Sequence, residues 1–131
     1  MYSVFRSRIS FEVEEVEFTA WQTVHMRIIN NAPVPLTIFR MTLLTISHSS
    51  AKVYFRCDAQ DGGSLPVTID AMGFVDMNFH LSPVMSEPDY LRDRHYRHED
   101  KAAPGKTHTL LMIQRNREMS QSVTCIDLGM R

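Results

Sequence analysis

The stretch Trp21–Ile46, WQTVHMRIINNAPVPLTIFRMTLLTI, decides how the rest of this chain is read. Val24, Met26 and Ile28 recur at period two, with Thr23, His25 and Arg27 between them. Successive strand side chains point to opposite faces, so the alternation predicts a strand with one buried and one wet face. Asn30-Asn31-Ala32-Pro33 ends that run, because Asn tolerates turn conformations and Pro cannot donate to a ladder. A second apolar run passes through Val34, Leu36, Ile38, Met41, Leu43 and Ile46. Its parity shifts near Phe39-Arg40 and again at Leu43-Leu44, which predicts a bend or a change of sheet. Trp21, at the start of the first strand, reads as a core or rim anchor.

Upstream, Val4 and Ile9 suit a short edge segment over residues 2–9. In Phe11–Phe18, Phe11 and Val13 alternate with Glu12, and Val16 and Phe18 alternate with Glu17. Glu14-Glu15 breaks the parity between them. Keeping both apolar halves inward requires one extra residue there, a β-bulge. The outward glutamates protect an edge from strand pairing. A cation site would need ligands from further segments as well.

Downstream, Ser47–Ser50 is a polar turn. In Ala51–Cys57 the alternation sets Val53, Phe55 and Cys57 inward and Tyr54 and Arg56 outward. Asp58–Ser64 is a loop whose Gly62-Gly63 lacks the Gly-Lys-Ser/Thr or G-x-G-x-x-G of a phosphate cradle. Leu65–Ile69 is a short strand and Asp70–Gly73 a turn or bulge. Val75, Met77, Phe79 and Leu81 then alternate cleanly with polar residues. Thr107–Gln114 is apolar on both faces, the pattern of a central strand. Arg115–Glu118 is a hairpin turn, and Ser120–Leu128 forms the last strand.

Residues 82–106, SPVMSEPDYLRDRHYRHEDKAAPGK, differ from the rest in being polar and charged. Ser86 followed by Asp89 resembles a capping box, and Pro88 suits a first turn, so a short helix over 87–95 is one reading. Its apolar contacts would be Tyr90 and Leu91. A long mobile loop is the other reading. An insertion of this length between strands more often carries function than not.

These elements amount to about seven to nine strands with turn signals at regular intervals, the signature of an antiparallel β-sandwich. The layout resembles the bacterial immunoglobulin-like sandwiches. The resemblance lies in the strand–Asn-Pro corner–strand unit (Val24–Leu43), the Pro-led segment into a turn and an alternating strand (Leu65–Leu81), and the closing hairpin (Thr107–Leu128). It implies one immunoglobulin-like domain over 1–131, with 82–106 inserted between strands. The cysteines and Trp21 do not occupy the positions of antibody-type domains. A jelly roll or small barrel shares the same pattern.

A net charge of −1 supplies no field that would gather nucleic acid or a membrane surface. No apolar run is long enough to span a bilayer as a helix. MYSVFRSRISF lacks the basic-then-apolar order of a signal peptide, so a cytoplasmic location is expected, with an exported mature form as the alternative. Cys57 and Cys125 then read as free thiols in apolar runs; export would allow a disulfide between them. The nine methionines are scattered and suit core packing rather than a soft-metal site.

Chemistry has few places to reside. His95 and His98, three apart beside Asp93, Glu99 and Asp100, could share a helix face and hold a metal. Arg92, Arg94 and Arg97 would repel it. No G-x-S-x-G elbow is present, and neither cysteine has the electropositive, exposed setting of a nucleophile. The acids among Arg92–Lys101 cancel the charge that nucleic acid would require. The sequence therefore favours a non-enzymatic binding or accessory module without cofactor, presenting 82–106 to a protein partner. Tyr90, Arg94, Tyr96 and Arg97 are its anchors, since Tyr and Arg dominate interface hot spots. The alternatives are a subunit of a phage- or secretion-like assembly, homo-oligomeric or joined by sheet edges, and a metal-dependent enzyme using His95 and His98.

Overall fold

The computed structural model describes residues 11–19, 22–60, 65–91, 102–115 and 123–130. Within them the chain is all-β. Its strands are β1 (Phe11–Phe18), β2 (Thr23–Asn30), β3 (Leu36–Ile38), β4 (Arg40–Ser47), β5 (Lys52–Ala59), β6 (Val67–Ile69), β7 (Phe74–Val84), β8 (Thr107–Gln114) and β9 (Val123–Met130). A single 3-10 turn, Asp89–Leu91, follows β7. Trp21 and the segment 2–9 lie outside the described residues. No helix among the described residues is long and apolar enough to cross a membrane.

The opening stretch folds as its periodicity requires. Val24, Met26 and Ile28 are buried while Thr23, His25 and Arg27 stay partly exposed. Across the ladder Val24 lies opposite Phe79, Met26 opposite Met77 and Ile28 opposite Val75, so two alternating strands share one apolar face. The parity break at Phe39 is a change of sheet. β3 pairs with β6 in a two-stranded sheet, and β4 enters a seven-stranded one. The bulge is also present. Glu14 faces Arg27 and Glu17 faces His25, which leaves one extra residue on β1, with Glu15 at φ 53°.

The seven strands run in the order β1-β2-β7-β5-β4-β8-β9, with every neighbouring pair antiparallel. An immunoglobulin-like sandwich divides its strands between two facing sheets. Here one sheet holds all the long strands and coils until its edge strands β1 and β9 come into contact. The apolar reason is that every strand contributes to one inner core. It includes Phe11, Met26, Phe79, Cys57, Leu43, Ile113 and Ile126, and β3 and β6 add Ile38 and Ile69. Burying each large apolar side chain contributes about 1.5–3 kcal/mol, so a sheet curled around a common core outweighs a flat one.

A second core lies on the outer face of part of the sheet. Leu44 and Ile46 of β4, Leu110 and Met112 of β8, Tyr54 of β5 and Val123 of β9 form it with Tyr90 and Leu91. These residues alternate with those of the inner core, so β4 and β8 are covered on both sides. Two expectations change accordingly. Leu43-Leu44 is not a bend; both leucines are buried because both faces are covered. Tyr54 faces this second core, not solvent, and its hydroxyl donates to Glu87 at 2.9 Å. β8, buried along nearly its whole length between β4 and β9, is the central strand its sequence indicates.

The polar stretch is therefore not simply an insertion thrown out from the sheet. β7 continues through Val84, and the chain then turns back so that Tyr90 and Leu91 seal the second core. Of the segment 87–95 read as a short helix, residues 92–95 lie outside the described residues, and residues 87–91 form only the three-residue 3-10 turn Asp89–Leu91. Ala102, close before β8, is buried, and its carbonyl oxygen accepts a hydrogen bond from His48 Nδ1 at 3.0 Å.

Candidate functional site

The ladder between β4 and β5 runs from Ile46 opposite Lys52 to Thr42 opposite Arg56 and stops there. Both strands continue, but apart. β4 stays with β8, setting Arg40 opposite Gln114 and Met41 opposite Ile113. β5 stays with β7, setting Cys57 opposite Leu81 and Ala59 opposite Phe79. A cleft of about 640 Å³ opens at this fork. Its floor includes Phe39, Met41, Cys57, Ala59 and Leu65. Val84, Ser86, Glu87, Pro88, Asp89 and Tyr90 form a wall, and Arg40, Thr42, Arg56 and Asp58 complete the lining. Its volume falls in the range of ligand-binding clefts.

The charged groups at this cleft differ in how far they are satisfied. Arg56 grips Asp58 with both Nε (2.8 Å) and a terminal nitrogen (3.1 Å), and Ser82 donates to the same carboxylate. The Arg56 guanidinium, with Ser82 assisting, holds the Asp58 carboxyl below its usual range against some desolvation. Glu87 accepts from Tyr54. Arg40 is anchored differently. Its Nε donates to Gln114 Oε1 at 2.7 Å, and its guanidinium lies 4.5 Å above the centre of the Tyr90 ring. The Tyr90 ring is thus a platform for a cation on one side and a plug for the second core.

Tyr90 itself is only 6% exposed, and its hydroxyl is hydrogen-bonded to Thr42. Burial pushes its phenol up to about 12, with the Thr42 bond opposing. Of the four anchors read from sequence, Tyr90 takes this packed position. Arg94, Tyr96 and Arg97 lie outside the described residues, as do His95 and His98. Cys57 is in the inner core and Cys125 borders the outer one, so the sheet separates the two free thiols. Burial pushes the Cys57 thiol up to about 12, far from the range of a reactive thiolate.

One group of metal-ligating type occurs among the described residues, on the outer face of β1, β2 and β7. Ligand atoms of Glu15, His25 and Asp76 lie within 4.8 Å of one another. The Arg27 guanidinium already occupies this ground. It donates to Asp76 at 2.9 and 3.2 Å, lies 3.9 Å from Glu15 and stacks on Phe74 at 4.4 Å. The Arg27 bond holds the Asp76 carboxyl below its usual range. A divalent ion would have to displace that guanidinium, so the cluster reads as an ion pair across strands.

The sequence pointed to the polar stretch but not to Arg40, Arg56 or Asp58, which the fork brings to one cleft. The available signal was the parity break at Phe39-Arg40, the point where β4 begins. Neither family models, nor curated proteins, nor solved structures match this chain.

Proposed function

We propose that this protein is a non-enzymatic binding module that receives a segment of a partner protein in the cleft at the β4/β5 fork. The observation that carries this reading is the wall of the cleft. The chain after β7 turns back over the sheet and lines the opening from Val84 to Tyr90, held in place by Tyr90, Leu91 and the Tyr54–Glu87 bond. A polar segment fixed beside an apolar floor is the arrangement by which a rigid scaffold presents a recognition surface. Arg94, Tyr96 and Arg97 follow this wall in sequence and serve as further anchors.

The deeply buried Cys57 thiol speaks against thiol catalysis at this cleft. The assembly-subunit reading has less support, since β1 presents exposed glutamates and β1 and β9 contact each other. The test is capture of partners from the host by the tagged chain and by Ser86→Trp, which fills the cleft from its exposed rim. Wild type should retain a specific partner that Ser86→Trp loses, with equal thermal unfolding of the two proteins. A partner held equally by both would remove the cleft from the interface.

A further inference from the structure

We infer that the occupant of the fork cleft is an extended peptide segment bearing a single carboxylate between apolar residues, with that carboxylate paired to Arg40. This inference rests on the reading of the cleft as the binding site. Three observations carry it beyond that reading.

The first is shape. β4 and β5 belong to one sheet and part at Thr42 and Arg56, each keeping its other neighbour. The space between two parting strands suits a further extended chain, and strand addition to a sheet is a recurrent mode of peptide recognition. The partly exposed floor residues Phe39 and Leu65 supply apolar contact for side chains of such a segment.

The second is the state of Arg40. Its Nε is committed to Gln114 and its plane is fixed over Tyr90. Its two terminal amino groups meet no acceptor among the described residues. Two coplanar donors on an immobilised guanidinium match the two oxygens of a carboxylate, and prior ordering reduces the entropy lost on pairing. The charge of Arg56, by contrast, is already paired bidentately with Asp58, which weakens its pull on a second carboxylate.

The third is the surrounding charge. Asp58 and Glu87 are satisfied within the protein and remain near the opening with Asp89. They repel a polyacidic tract, so one carboxylate among apolar residues is favoured over several.

The test uses three pools of degenerate heptapeptides, identical except for a central Glu, Gln or Lys, titrated by fluorescence anisotropy. The proteins are wild type, Arg40→Gln and Ser86→Trp, each checked for unchanged thermal unfolding. Wild type should bind the Glu pool roughly ten-fold more tightly than the Gln pool, the size of one charge-assisted hydrogen-bonded pair. Arg40→Gln should bring the Glu and Gln pools to the same affinity, and Ser86→Trp should weaken both. Equal binding of Glu and Gln pools by wild type, lost in Ser86→Trp, overturns the carboxylate pairing and leaves the cleft as a binding site. Absence of binding by every pool, or binding that Ser86→Trp leaves intact, overturns the peptide inference and the cleft reading together.

Discussion

The side-chain amide of Asn30 donates to the carbonyl oxygen of Ile69 at 3.1 Å, joining the end of β2 to the end of β6 across the interior. The same nitrogen also reaches the carbonyls of Val34 (2.9 Å) and Asp70 (3.2 Å), and Oδ1 accepts from the Ala32 amide at 2.8 Å. Asn30 is fully buried. One side chain thus meets backbone groups of both the Asn-Asn-Ala-Pro corner and the turn before β7, beside the backbone bonds Met72–Ala32 and Gly73–Asp70. Asn30→Ala removes those partners at once and should cost about 2–4 kcal/mol, since each buried group left unpaired carries its desolvation penalty. Urea unfolding with an unchanged m-value checks this; a loss under about 0.5 kcal/mol would show that the corner does not depend on the amide.

Tyr90 fills the outer core, so its removal should act on stability. Tyr90→Ala should cost about 3–5 kcal/mol, as for other buried aromatics. Tyr90→Phe, which strands the Thr42 hydroxyl, should cost about 1–2 kcal/mol. Equilibrium denaturation measures both. A Tyr90→Ala protein as stable as wild type would mean that the turn after β7 does not seal the sheet.

Cys57 links the inner core to pH. Its thiol has a folded value of about 12 against an ordinary 9.0, so the folded state holds the proton more tightly than the unfolded chain does. The stability this contributes is fully present below pH 9 and is lost as pH rises towards 12. Tyr90 adds a similar loss, starting from its ordinary value of 10.0. Between pH 9 and 10 the Cys57 part should amount to up to about 1 kcal/mol and should vanish in Cys57→Val. An alkaline slope unchanged by that substitution would contradict burial of the thiol.

Glu15 occupies the left-handed region, with φ 53° at the bulge of β1. Glu15→Val places a β-branched side chain there and should destabilise by about 1–2 kcal/mol. Glu15→Gly should be close to neutral, because glycine adopts that conformation readily. Thermal unfolding of the pair distinguishes a real bulge from a strand that could run straight, in which case glycine would be the worse substitution.

Much of the local fold was legible because it follows from period two. Val24, Met26 and Ile28, the Glu14-Glu15 bulge, the break at Phe39 and the two-sided apolar run of β8 each state their environment within a few residues. What covers the outer face was not legible at that range. Tyr54 between Val53 and Phe55 looks solvent-facing until Leu91 and Tyr90, far along the chain, are placed over it. Leu110-Leu111 did signal that both faces needed cover, whereas Leu43-Leu44 read as a bend; the polar stretch hid the two side chains that supply the cover. The strand order β7-β5-β4-β8 arises from long-range pairing, so neither the single coiled sheet nor the fork could be read from local pattern. Arg40 reads locally as an ordinary strand cation. Its distinctive state comes from Gln114 and Tyr90, both distant in sequence.

The most direct measurement is site-specific photo-crosslinking in the host, with benzoylphenylalanine replacing Ser86 at the rim of the fork cleft or Glu12 on the exposed face of β1. A discrete partner adduct at position 86 and none at 12 is the expected result, with the label on the partner falling in an extended segment. Adducts at 12 but not at 86, or none at either, would contradict the cleft as the binding surface of this protein.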